Sequence, residues 1–395
     1  MDSKSRYSTI NETAARMYLL EHDAKDLLAA HRIPAPTGAL FEDAEAISAT
    51  ALPGAPWVVK GQIAAGGRGK AGLIRKAATL AEAQSHAAAI IGSTARSRPV
   101  GAVRIEQAVS GAQEAYLGLL LDSATAQVRV IVSARGGMDI EQVPRQHIQS
   151  ELVQTDAQSL VDSVHRLARN LPVNVTAAVR DAGERLAHAF LALEALLLEI
   201  NPLFVLADGS WVAGDAKLVT DDNALARQSV LRALLERRAR AYPETALKLQ
   251  HGFDYVVVDP AGEIGLLTTG AGLSMMLIDE LREAGLKPYN FLDIRTGGLR
   301  GQTTRLVQVL NWIAQGRDIR VLLVNIFAGI TDLAEFSRLL VAALIEVPRL
   351  KVPVVARLVG NGLPAARATL SAAGIPLHVD LDAALTEVRR HLNRQ

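Results

Sequence analysis

The chain has no cysteine among its 395 residues, which excludes disulfide frameworks, thiolate zinc sites and a cysteine nucleophile. Aromatic residues amount to only 4%, so aliphatic side chains must fill most of any core. No apolar run reaches the roughly 20 residues of a membrane span; the most apolar one, around Ala189 to Leu198, is interrupted by Glu194 and closed by Glu199. Charge of one sign is not in excess either. Lys+Arg 42 against Asp+Glu 41 gives +1, so the broad basic surface of a nucleic-acid or anionic-membrane binder is excluded and any basic site is local. Residues 1–16 lack the apolar stretch of a secretory signal. They read as a polar extension, with the cytoplasm as the expected location.

Apolar residues make up 49% of the sequence, enough to bury more than one core, and a chain of this length suits two or more domains. Residues 17–33 show helical spacing in Leu20, Ala24, Leu27 and Leu28 and stop at Pro34-Ala35-Pro36. Short β-like runs then alternate with Ala-rich helices: Trp57–Lys60, Leu73–Arg75, Val103–Glu106, Ala115–Leu121 and Val128–Val132. We read residues 17–245 as an α+β domain. An arginine-rich helical stretch broken at Pro243 marks the boundary. Over residues 252–395 the apolar runs Tyr255–Val258, Ile264–Thr268, Val321–Ile326 and Val352–Arg357 alternate with helical spacing, the pattern of a parallel sheet covered on both faces.

The segment WVVKGQIAAGGRGKAGLIRK holds Lys60 at the end of an apolar strand, then Gly66-Gly67-Arg68-Gly69-Lys70. Glycines let backbone N–H groups approach phosphate oxygens, and the cations neutralise their charge. The segment is not a P-loop, because Ala64 and Ala71 replace the first Gly and the Ser/Thr. A solvated hairpin is the plain alternative. Lys60 speaks against it, since an ammonium beside Trp57-Val58-Val59 needs a partner, and a phosphate is the obvious one.

LLLEINPLFVLADGSWVAGDAKL reads as two strands around Asp208-Gly209, with Glu199 and Asn201 on one face of the first. A three-residue loop with Gly209 in the left-handed conformation pairs Leu206 with Ser210, and therefore Asn201 with Asp215. Two hard oxygen donors brought together in this way suit Mg²⁺, which completes its shell with water and nucleotide phosphates. Glu106 and Glu114 stand at neighbouring strand ends, where carboxylates can accept ribose hydroxyls or face solvent. Three glycine turns follow later strands, at Gly270-Ala271-Gly272, Asp293–Gly298 and Phe327–Asp332. On one edge of a parallel sheet they would form an anion-accepting rim.

Together these strings, with RGGMDIE, DAKLVTDDNALARQ, GAGLSM, NFLDI, VNIFAGI and ARLVGN, resemble the β subunit of succinyl-CoA synthetase and the wider family of ADP- or GDP-forming acid–thiol ligases, including the malate–CoA ligase β subunit. The likeness runs from about Met17 to the C-terminus. It implies an ATP-grasp domain followed by a flavodoxin-like CoA-ligase domain, with ATP or GTP as cosubstrate. It further implies that Lys60, Gly67, Arg68 and Gly69 hold the phosphates, that Glu106, Val109 and Glu114 serve the adenosine end, and that Asn201 and Asp215 bind Mg²⁺. Glu199 matches the glutamate that steadies a phosphohistidine arriving from a partner α subunit, which would also bring the CoA site. Thr269, Arg295, Gly329, Ile330 and Thr331 fall on the acid-binding turns.

The departures gather in the second domain. Thr269 replaces the usual Asn, the turn Arg295–Arg300 replaces a triple glycine, and Thr331-Asp332-Leu333 replaces a basic, cysteine-containing helix start. The expected acid is therefore one other than succinate. A nucleotide- or CoA-sensing subunit with a degenerate acyl site is the alternative reading.

Overall fold

A computed structural model describes residues 16–95, 98–295, 299, 301–329 and 332–393. The chain divides into two compact units at Ala241/Tyr242. No helix among the described residues is long and apolar enough to cross a membrane.

The first unit opens with β1 (Arg16–Tyr18), α1 (Glu21–Ala29), β2 (Gly38–Phe41), β3 (Trp57–Gln62), β4 (Ile74–Ala77) and α2 (Leu80–Ile90). After the two-residue strands β5 (Thr94–Ala95) and β6 (Arg98–Pro99) come β7 (Ala102–Gln107), β8 (Gln113–Asp122), β9 (Gln127–Ser133) and β10 (Ile148–Val153). Next are α3 (Ala157–Ala168), α4 (Val173–Ala192), β11 (Ala195–Val205), β12 (Trp211–Ala213), β13 (Ala216–Asp221) and α5 (Ser229–Arg237). Two larger antiparallel sheets result, β2-β7-β3-β4 and β1-β13-β11-β8-β9-β10, with β12 paired to β11, beside the two-stranded antiparallel pair β5-β6.

Period two sorts the smaller sheet. Trp57 and Val59 of β3 and Val103 and Ile105 of β7 face Ala83, Ala87 and Ile90 of α2, which a Thr79–Glu82 capping box starts. The alternate residues, Lys60, Arg104 and Glu106, are buried as well. They meet α1, and Lys60 lies opposite Arg104 in register. The helix expected over residues 17–33 is shorter than its spacing suggests. Met17 and Tyr18 pair with Thr220 and Val219 instead, because two more rungs of β13 satisfy their backbone while Met17 still reaches the core.

The second unit has α6 (Pro243–His251), β14 (Asp254–Val257), β15 (Ile264–Thr268), α7 (Ala271–Glu283), β16 (Asn290–Asp293), α8 (Thr304–Ile313) and β17 (Val321–Ala328). It ends with α9 (Leu333–Glu346), β18 (Val354–Gly360), α10 (Leu363–Ala372), β19 (Leu377–His378) and α11 (Leu381–Leu392). The expected parallel sheet is β15-β17-β18-β19. Val321 and Leu323 point to a cluster with α7 and α11, while Leu322, Val324 and Ile326 point to one with α8, α9 and α10.

One expectation needs correcting. The run at Tyr255–Val258 is not a rung of the parallel sheet. It pairs antiparallel with Asn290–Asp293. Asn290 fastens this ribbon to β15: fully buried, its Oδ1 accepts from Leu266 N–H at 2.9 Å and its Nδ2 donates to Leu266 O at 2.8 Å. A side-chain amide thus replaces a stretch of backbone ladder.

Candidate functional site

The first unit concentrates its buried charge on α1, β3, β7 and the turn into β13. Lys60 Nζ contacts Glu21 Oε1 at 2.9 Å, Glu106 Oε1 at 2.5 Å and Gly214 O at 2.7 Å. Lys25 Nζ contacts Glu21 Oε1 at 2.7 Å, Glu106 Oε2 at 2.8 Å and Gly214 O at 2.9 Å. Each ammonium has three N–H donors, so both lysines are saturated by one shared set of acceptors. Arg104 Nε donates to Glu106 Oε2 at 2.9 Å, and its NH1 lies 2.8 Å from His22 Nδ1.

Arg68, in the glycine loop, bridges outward from this cluster. Its NH1 meets Glu21 Oε2 at 2.5 Å, and its NH2 meets Asp215 Oδ1 and Oδ2, each at 2.6 Å. Gly67, which precedes it, has φ of 75°, a left-handed conformation that glycine adopts without steric cost. Lys70 pairs with Asp139 across an exposed gap.

The electrostatics follow from burial. Desolvation would raise the carboxyls of Glu21 and Glu106, but Arg68, Lys25 and Lys60 at the first and Lys25 and Lys60 at the second hold both below the usual carboxylate range. Burial alone would lower Lys60, yet Glu21, Glu106 and Asp215 outweigh it and push the ammonium upward. Burial dominates at Lys25 and lowers it. Four cations, Lys25, Lys60, Arg68 and Arg104, face three carboxylates, Glu21, Glu106 and Asp215. One positive charge is left over, as a polyanion would require.

The register foreseen at Asp208-Gly209 is the one observed. Gly209 has φ of 83°, Leu206 N–H bonds Ser210 O at 2.8 Å, and Asn201 N–H reaches Asp215 O at 3.4 Å. Asn201 Oδ1 accepts from Gly137 N–H at 2.8 Å, and Nδ2 donates to Met138 O at 2.9 Å. Among the described residues no three or more His, Asp and Glu side chains form a metal cage. The donor set of Asn201 and Asp215 still fits Mg²⁺, which needs only one or two protein oxygens beside water and phosphate. Glu199 accepts from Tyr116 Oη at 3.1 Å and lies opposite Lys217. Burial raises its carboxyl, against the pull of Lys217 and Tyr116.

The structure places Glu106 and Glu114 differently. Glu106 is 2% exposed and meets Lys25, Lys60 and Arg104 rather than an open groove. The partners of Lys60 in this conformation are two carboxylates and the Gly214 carbonyl. Glu114 is exposed and rests against Gly137, where a Cβ would collide with its carboxylate. Val109 is half-buried in the connection between β7 and β8. Gly69 is open, with no atom near a built Cβ.

In the second unit the turns after β15 and β16 are adjacent, since Ile294 N–H bonds Thr268 O at 3.0 Å and Gly270 N–H bonds Asp293 Oδ1 at 2.8 Å. Thr269 is half-buried there, and Gly329 is exposed after β17. Arg295 NH2 is 3.4 Å from Asp254 Oδ2. Asp332 caps α9 by accepting from Ala334 N–H at 2.8 Å. Ile330 and Thr331 lie outside the described residues, as do Thr296, Gly297, Gly298 and Arg300.

Sequence reading missed Glu21, Lys25, Arg104 and the Gly214 carbonyl. The i,i+4 pair of Glu21 and Lys25 on α1 looks like a solvated helix face. Only the sheet behind it makes that face an interior one.

The ATP-grasp domain family matches residues 18–205 and the CoA-ligase family residues 267–389. The β subunit of an ADP-forming succinate–CoA ligase from Chloroflexus aurantiacus is 37% identical over 362 residues, 90% of this chain and 93% of that protein. The β subunit of a GDP-forming succinate–CoA ligase from Thermus thermophilus is 36% identical, over 92% and 95%. Among solved structures, an ATP citrate lyase from Methanothrix soehngenii in complex with citrate and coenzyme A superposes with a TM-score of 0.66 at 18% identity, over 92% of this chain and 96% of that one. This last likeness concerns the fold.

Proposed function

We propose, from the premise that this chain belongs to the family of succinate–CoA ligase β subunits, that it is the nucleotide-binding subunit of an acid–thiol ligase. The reaction is acid, CoA and ATP or GTP giving acyl-CoA, the nucleoside diphosphate and phosphate. It runs through an acyl phosphate and a phosphohistidine carried by a partner α subunit. The observation that carries the reading is the Arg68–Asp215 pair. A cation suited to phosphate and a carboxylate suited to a metal are bonded to each other beside a cluster with surplus positive charge, and one release would free both.

Lys60, Arg68 and the N–H groups around Gly67 and Gly69 would take the phosphates, with Val109 and Glu114 toward the adenosine. Glu106 would act through the lysines it binds. Asn201 and Asp215 would hold Mg²⁺, whose charge offsets that of the phosphates. Glu199, already bonded to Tyr116, would orient the partner's imidazole. Thr269, Arg295, Gly329, Ile330 and Thr331 would line the acid site. Arg295 and the anionic Asp332 at the start of α9 favour an acid other than succinate, because they change the charge pattern of those turns.

The test is diphosphate release by the chain co-purified with its α partner, across a panel of carboxylic acids with and without CoA. Turnover that needs CoA and is faster with another acid than with succinate is expected. Succinate as the best substrate refutes the acid assignment alone. Nucleotide binding without turnover for any acid refutes the ligase and supports a sensing subunit.

A further inference from the structure

We infer that Glu21 is a positioning residue for the nucleotide, holding in place the two cations, Lys60 and Arg68, that would meet its phosphates. The inference rests on the nucleotide reading of this site. Glu21 Oε1 receives Lys60 at 2.9 Å and Oε2 receives Arg68 at 2.5 Å. Among the described residues no other carboxylate is seen to touch both: Glu106 holds Lys60 and Asp215 holds Arg68. Lys60 comes from a strand and Arg68 from a glycine loop, so their spacing is not set by one element. Glu21 sets it.

The carboxylate is itself held on a firm support. Ala24 and Leu28 of α1 are fully buried, His22 N–H bonds Gln62 Oε1 at 2.9 Å, and Arg238 lies 3.3 Å from Asp23. Packing and backbone contacts thus fix α1 without help from Glu21. Stability alone does not account for the residue, because a whole buried ion network is commonly matched or bettered by apolar residues of equal volume. Orientation accounts for it. When Arg68 releases Asp215, the Glu21 bond keeps the guanidinium at the site rather than free in solvent.

The experiment is calorimetric titration of the full-length chain with Mg-ATP and Mg-GTP, for the unaltered protein, Glu21→Gln and Glu21→Asp, with the melting temperature measured alongside. Glu21→Gln keeps the volume and loses the charge. It should raise Kd about tenfold while the binding-competent fraction stays near that of the unaltered chain. Glu21→Asp keeps the charge one methylene short and should raise Kd by a smaller factor. A merely structural residue would lower the melting temperature and the competent fraction but leave Kd unmoved, and that result overturns the inference. Should Glu21→Gln not fold, an unchanged Kd in Glu21→Asp overturns it equally. If the unaltered chain binds neither nucleotide, the nucleotide reading fails and the inference falls with it; if the unaltered chain binds and both variants match it, the inference fails alone.

Discussion

Lys25→Met, made alone and together with Lys60→Met, probes how the buried cluster shares its acceptors. In either single variant every acceptor group keeps a donor, although Lys60→Met takes from Glu106 Oε1 its bond to Lys60. Glu21 retains Arg68 and one lysine, Glu106 retains Arg104 and one lysine, and the Gly214 carbonyl retains one of its two ammonium partners. An uncompensated buried charge would cost about 3–5 kcal/mol. Here the remaining partners compensate, and each single variant should cost about 2 kcal/mol, the worth of a hydrogen bond to a charged group. In the double variant the buried Gly214 carbonyl loses both donors. An unsatisfied buried acceptor costs about 1–3 kcal/mol, so the double variant should exceed the sum of the singles by that amount. Hydrogen exchange of the β3 and β7 amides gives the opening free energy of this region directly. Additivity to within about 0.5 kcal/mol, the behaviour of independent sites, would refute the shared-acceptor account.

Asp215→Asn should remove the metal-holding carboxylate and raise the Mg²⁺ requirement of diphosphate release at least about tenfold; a Mg²⁺ titration at fixed nucleotide measures it. Gly136→Ala would drive a Cβ into the Ala115 carbonyl, a backbone atom that cannot turn aside. The loop that binds Asn201 should shift, at about 1–3 kcal/mol of stability by urea melting. Glu21 and Glu106 have carboxyls held low in the folded state, so the stability they confer is present above the ordinary glutamate range, about 4.3, and is lost as pH falls below it. The slope of melting temperature against pH below that range should be shallower in Glu21→Gln. Asn290→Ala strips Leu266 N–H and O of their partner and should destabilise the second unit by about 2–4 kcal/mol, read from the fluorescence of Trp312.

Local chemistry made part of this molecule readable in advance. The Asp208-Gly209 turn fixed the register that sets Asn201 opposite Asp215, since loop length decides hairpin pairing. Alternating apolar runs gave β3, β7, β8 and β9 to within a few residues. What stayed hidden depends on distant parts of the chain. Lys60 and the Gly214 carbonyl are 154 residues apart, and no periodicity reports such a contact. The antiparallel pairing of β14 escaped notice because its partner, Asn290–Asp293, is four residues long and begins with an asparagine, a poor strand former when its amide is solvated. Its value appears only once Leu266 stands beside it.

The parallel sheet of the second unit deals its rungs alternately to two apolar clusters, Leu322 to one and Leu323 to the other. Residues next to each other in the chain are therefore strangers in packing, while Leu322, Val324 and Ile326, each one residue removed from the next, are neighbours. Drift within the lineage of this protein should follow that division. A change of volume at Leu322 calls for an answering change among α8, α9 and α10, and leaves Leu323 free to vary with α7 and α11 on its own account.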